Sequence, residues 1–137
     1  MTDASQAAAA WIRAHYPADT LVAVNHAGAL PYYLDWPCLD MVGLANIHIA
    51  RDITGGLHHK FDPAYVVSSD PGVVVLNTVV APGTDGVFYH PGYWEGETAL
   101  VSYEPFQRRY RPVPTFWTWQ SATGATSYIV LFERVVP

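Results

Sequence analysis

"DPAYVVSSDPGVVVLNTVV", residues 62–80, joins a helix directly to a strand, and its reading decides the fold. Asp62 stands where an N-cap carboxylate accepts the free amides of a first turn. Pro63 has no amide to leave unpaired, so a helix is expected over Pro63 to Ser68. Asp70, Pro71 and Gly72 then stop it. From Val73 to Val80 β-branched residues run almost without interruption, the mark of a strand buried on both faces. A helix feeding a doubly buried strand is the grammar of α/β folds.

The segments on either side extend that grammar. "DASQAAAAWIRAHYP", residues 3–17, is a run of strong helix formers with Asp3 or Ser5 as N-cap and Pro17 as stop. A strand from Thr20 to Asn25 then enters a glycine-bearing turn and a helical piece from Ala29 to Leu34. "CLDMVGL", residues 38–44, reads as a second strand, and "NIHIARDI" as a short helix capped by Asn46. Residues 81–96, "APGTDGVFYHPGYWEG", have loop chemistry, and a short helix is expected near Pro105 to Tyr110. "RPVPTFWTW" and "SYIVLFERVV", joined by the turn-rich "QSATGAT", form an antiparallel hairpin. The expected fold is a single α/β domain over residues 1–137. It is read as a three-layer, Rossmann-like, mostly parallel sheet with an antiparallel hairpin at its C-terminal edge.

Composition excludes several function classes. Half of the 137 residues are hydrophobic and only 14% are charged, against about 25% in an average soluble domain, so much of the surface is uncharged. The net charge is −5, Lys60 is the only lysine, and Arg108, Arg109 and Arg111 form the only basic run, too little to follow a phosphate backbone. Nucleic acid is not an expected partner. The single cysteine, Cys38, rules out an internal disulfide. No apolar stretch approaches the roughly 20 residues of a spanning helix, and the N-terminal residues lack the pattern of a signal peptide.

No constellation of side chains announces a reaction. "NHAGALP" follows a strand, but no glycine-rich nucleotide fingerprint is present and no cofactor is expected. His58 and His59 lie near Asp62, with His26, His48 and His90 elsewhere, but neither helical metal spacing nor a cysteine pair joins them, so no metal is expected. The serines occupy turns and strands rather than a nucleophile elbow, and Cys38 reads as a small hydrophobe. Asp35 with Asp40, or Glu95 with Glu97, could pair as glycoside hydrolysis requires, yet twelve acidic residues make such pairs common by chance. Tyr89, Tyr93, Trp94 and Tyr103 gather in or beside the Gly/Pro-rich stretch, where they either pack as a satellite core or stack on a sugar ring.

Taken in order, "GALPYYLDWPCLDMVGLANIHIAR", "GGLHHKFDPAYVVSSDPGVVVLN" and "FQRRYRPV" resemble the soluble C-terminal domain of bacterial GT-C-type membrane glycosyltransferases of the mannosyltransferase-like or arabinofuranosyltransferase-like kind. Gly28, Leu30, Tyr32 and Tyr33 match that family's strand-ending turn. Asp40, Gly43, Leu44 and Asn46 match its D-x-x-G-L-x-[ND] motif, and Ile49, Ala50 and Arg51 follow. His58 or His59 with Lys60 stand at its G-H-x-K-like loop. The match is good from about Trp11 to Leu76 and loose beyond, Gly72 stands where the family often has an acidic residue, and residues from Ala81 have no counterpart.

The resemblance implies a non-catalytic accessory domain at the C-terminus of a longer membrane protein, on the extracytoplasmic face of the cytoplasmic membrane. Its partners would be the transmembrane portion of the same polypeptide and a glycan or lipid-linked acceptor. The polyprenyl-phosphate sugar donor and the catalytic acid would belong to that membrane portion. Asp40 is then expected to anchor the strand-to-helix connection with Gly43 and Arg51. Asp40, Asn46, His58, Tyr93 and Trp94 are the residues for any ligand contact. The competing readings are a small freestanding hydrolase of sugars or phosphoesters using Asp40 with the histidines, and a carbohydrate-binding module using Tyr89, Tyr93 and Trp94.

Overall fold

In the computed structural model, which describes residues 2–25, 29–41, 61–78, 95–120, 122, 124 and 126–135, the alternation of helix and strand read from the sequence is present. The elements are α1 (Thr2–His15), β1 (Val22–Val24), α2 (Ala29–Leu34), β2 (Cys38–Asp40), α3 (Pro63–Ser68), β3 (Val73–Thr78), α4 (Glu95–Val101), α5 (Glu104–Arg109), β4 (Tyr110–Gln120) and β5 (Thr126–Arg134). Helix α1 begins ahead of both expected caps. Asp3 lies in its first turn, where a carboxylate meets the positive end of the helix dipole, and Ser5 is buried inside it. At α3 the cap is as expected: Asp62 accepts from the Tyr65 amide at 3.1 Å, with Pro63 in the first turn. The expected helix over residues 46–53, and Val79 and Val80 of the expected strand, lie outside the described residues.

The strands form one mixed sheet in the order β2-β1-β3-β5-β4. β1 pairs in parallel with β2 and β3, whereas β3 and β4 each pair with β5 antiparallel. The expected antiparallel hairpin is present as β4 and β5 at one edge, but the mostly parallel, Rossmann-like expectation is corrected, because two of the four strand pairings are antiparallel. β5 runs against the other strands and lies inside the sheet, between β3 and β4. Its Ile129, Val130, Leu131 and Phe132 are all buried, as a strand covered on both faces requires. β4 carries Pro112 and Pro114, which cannot donate to a ladder, and takes the outer position.

Helices cover both faces. On one, Ala4, Ala8, Ala9 and Ile12 of α1 and Leu30 and Leu34 of α2 pack on Val22, Val24, Val73, Val75, Ile129 and Leu131. The alanines let α1 lie close, and Trp11 meets Trp117 of β4 edge-on at 6.0 Å. Arg13, in the last turn of α1, donates to the carbonyls of Tyr33 and Leu34 and so closes the C-terminal end of α2. On the other face Val66 and Val67 of α3, Leu100 of α4 and Phe106 of α5 pack on Ala23, Leu39, Val74, Leu76, Val130 and Phe132.

The turn from α3 into β3 is closely held. Asp70 adopts φ 58°, a left-handed conformation that aspartate tolerates, and its carboxylate pairs with Arg109 at 2.6 Å and Arg134 at 3.0 Å. The Tyr110 hydroxyl donates to the Pro71 carbonyl at 2.6 Å. Two residues past Asp70, the Gly72 amide donates to the Leu21 carbonyl at 2.9 Å, and its own carbonyl accepts from the Arg134 amide at 3.1 Å. A Cβ at Gly72 would lie 2.5 Å from Thr20 Cγ2, a methyl held in place because Thr20 Oγ1 donates to the Pro17 carbonyl. Gly72→Ala is therefore expected to lower stability by about 2 kcal/mol through overpacking. Urea denaturation of Gly72→Ala alone and with Thr20→Ser, which removes the clashing methyl, checks this: the second change should restore most of the loss.

Candidate functional site

The strand order 2-1-3 makes the chain leave β1 toward β2 by way of α2 on one face, then cross back to β3 by way of α3 on the other. The carboxyl ends of β1 and β3 are thus a switch point, the position where open α/β sheets hold ligands. Buried polar residues of the strand segments lie toward this end: Asn25 just past β1, Asp40 closing β2 and Asn77 in β3, with Ser127 near the start of β5. Another, Glu97, arrives from α4 and is only 1% exposed.

Local geometry explains why Glu97 is there. Val22 and Val24 turn their backbone groups toward β2, since the Val22 amide donates to the Pro37 carbonyl at 3.1 Å and the Val24 carbonyl accepts from the Met41 amide at 2.9 Å. Asn25 would be the next residue to face β3, but β1 ends at Val24. Glu97 Oε2 accepts the Asn77 amide at 2.8 Å, and Oε1 accepts from Asn25 Nδ2. One carboxylate therefore completes the β3 ladder and holds the residue at which β1 departs. Asn77 Oδ1 is buried without a hydrogen-bond partner among the described residues.

Burial dominates the electrostatics of this node. It pushes the Glu97 carboxyl up from 4.5 to about 8, although the hydrogen bonds from Asn77 and Asn25 pull in the opposite direction. Cys38, at the start of β2, is likewise raised by burial to about 11, which suits a packing thiol rather than a nucleophile.

The residues singled out in the sequence divide into two sets. Asp40 is 5% exposed and engaged with a partner. Gly43, Asn46, Arg51, His58, Tyr89, Tyr93 and Trp94 lie outside the described residues, as do His26, His48, His59 and His90. Among the described residues no group of three or more His, Cys, Asp or Glu could hold a metal ion. Of the motif residues on α2, Leu30 is core while Tyr32 is 79% exposed and stands edge-on to Tyr33. Sequence reasoning meets Glu97 only as one member of a carboxylate pair with Glu95. The available signal was "ETALV", residues 97–101, an apolar helix turn with a carboxylate on its buried side, in a helix whose first two residues belong to a segment whose composition reads as loop.

With this geometry in view, the chain matches over residues 1–132 the model of a family described as a domain of unknown function (DUF8728). The chain belongs to this family. No curated protein and no solved structure matches it. The match covers β1 to β4 and all but the last two residues of β5, so the switch-point node lies wholly inside the family's domain.

A carboxyl whose proton affinity is raised by folding stabilises the protein while protonated. That stability is fully present below about pH 4.5 and is lost as pH rises through about 8. Within this window the unfolding free energy is expected to fall by up to about 1.4 kcal/mol per pH unit. Glu97→Gln should remove that slope while lowering stability at acid pH, because the amide cannot accept both bonds. Denaturant melts of both proteins from pH 5 to pH 9 check the sign.

Proposed function

We propose that the chain is the non-catalytic accessory domain of a membrane glycosyltransferase, placed on the extracytoplasmic side and bracing the transmembrane part or orienting a glycan acceptor. The observation that carries this reading is the state of Glu97. Both of its oxygens are taken by donors of the chain itself, and almost none of its surface meets solvent, so the one carboxylate described at the switch point with a shifted proton affinity works as a brace. The ordered motifs add support. In the chain the G-x-L-x-Y-Y motif follows β1, with its leucine and tyrosines on α2, and the D-x-x-G-L motif opens on Asp40, the last residue of β2. No helix among the described residues is long and apolar enough to cross a membrane, so the membrane part would be a separate portion of the polypeptide.

A second reading, a small hydrolase, is favoured by one observation: a carboxyl pushed up to about 8 lies in the range of a general acid. The Rossmann-like, three-layer description would then apply only to the β2-β1-β3 portion.

An antibody against this chain, used on membrane and soluble fractions of the source cell, separates the two. The accessory-domain reading expects a membrane-bound polypeptide several times larger than 15.1 kDa. A soluble species of that mass, with sugar- or phosphoester-hydrolysing activity lost in a folded Glu97→Gln variant, would support the hydrolase instead.

A further inference from the structure

Among the described residues β4 is an outer strand, and its two halves are built differently. The first half carries Arg111, Pro112 and Pro114, and its pairing with β5 slips between Pro112 and Phe116. Proline, charge and a bulge are the devices that keep an exposed strand edge from recruiting another strand. The second half, Phe116 to Gln120, has none of them. Its five residues pair with β5 in unbroken register, from Phe116 with Val130 to Gln120 with Thr126, and no described strand pairs with its other edge.

We propose that this half-strand is a dimerisation edge, at which a second copy of the chain adds its own Phe116–Gln120 segment antiparallel about a two-fold axis through Thr118. The sheet then runs continuously through both copies.

The sequence of the segment favours a second copy as the occupant. An isologous contact requires a surface complementary to itself. Centred on Thr118, the pairing sets Thr118 against Thr118, Trp117 against Trp119, and Phe116 against Gln120. Threonine and aromatic pairs are favourable across strands, and no like charges meet. That neutrality matters because each copy carries a net charge of −5, so an uncharged edge is where two acidic copies approach at least cost.

The edge is also preorganised. Trp117 is held edge-on to Trp11 of α1 at 6.0 Å, Phe116 stands edge-on to Tyr128 at 5.7 Å, and Gln120 Nε2 donates to Thr126 Oγ1 at 2.9 Å. Phe116 is nevertheless 39% exposed, and Thr118 and Gln120 on the same face are exposed too. Side chains already fixed lose little entropy when a second strand arrives.

Sedimentation equilibrium of the full 137-residue chain over a range of concentrations tests this, alongside Thr118→Lys and amide hydrogen exchange. The exposed Thr118 side chain can be replaced without loss of core packing, which a thermal melt verifies, but two lysines would then face each other across the axis. The expected result is a species of twice 15.1 kDa that dissociates on dilution, with amides of Phe116–Gln120 exchanging more slowly as concentration rises. Thr118→Lys should weaken association by about tenfold or more at unchanged melting temperature. A monomer at every concentration would overturn the proposal, and so would a dimer indifferent to Thr118→Lys.

Discussion

The bond from the Asn77 amide to the Glu97 carboxylate is the contact on which the middle of this sheet depends. β3 lies between a three-residue parallel strand and a nine-residue antiparallel one, and the short neighbour ends first. Beyond that end, half of the backbone groups of β3 face nothing from β1. An orphaned buried amide costs about 1–3 kcal/mol, comparable to a large share of a domain's net stability. A helix residue brought across the gap removes that cost and at the same time grips Asn25, where β1 turns away. The solution carries its own penalty, since a carboxyl in this setting holds its proton far above the usual range.

The opposite end of β3 is secured by different chemistry. There the chain enters through a left-handed aspartate whose carboxylate binds an arginine from α5 and another from β5, half-exposed to solvent. Charge pairing of this kind is modest in energy but sets geometry, because it ties the turn to α5 and β5, two elements that come later in the chain. The basic run at residues 108–111, too short in the sequence to follow a phosphate backbone, is partly engaged within the chain: Arg109 on Asp70, and Arg108 on Glu104 one helical turn away at the surface.

Local signals carried well from sequence to structure. Asp62 with Pro63 marks the start of α3, the apolar run after Gly72 marks β3, and Ala29 to Leu34 is helical as its spacing requires. Long-range order carried only in part: the edge hairpin is as expected, but the mostly parallel sheet is not. "SYIVLF" is as continuously apolar as β3 and belongs inside the sheet for the same reason, while the prolines of "RPVPTFWTW" belong at an edge. Both cues are in the sequence, but a hairpin reading treats its two strands as equivalent and hides them. Glu97 was obscured for another reason: its importance comes from where β1 stops, a property of strand pairing that no local pattern records. Asp40 was legible as a buried carboxylate because it interrupts an apolar strand, and its burial agrees with that.

The proposed role as a supporting domain rests on the switch-point carboxylate being a structural brace. Site-resolved amide hydrogen exchange at Asn77 tests this most directly. If Glu97 closes the ladder, the Asn77 amide exchanges only through global unfolding, as slowly as Val75 and Leu76, and becomes selectively fast in Glu97→Gln. An Asn77 amide that exchanges like an exposed loop while Val75 stays protected would contradict the account, because the carboxylate would then be free for other work.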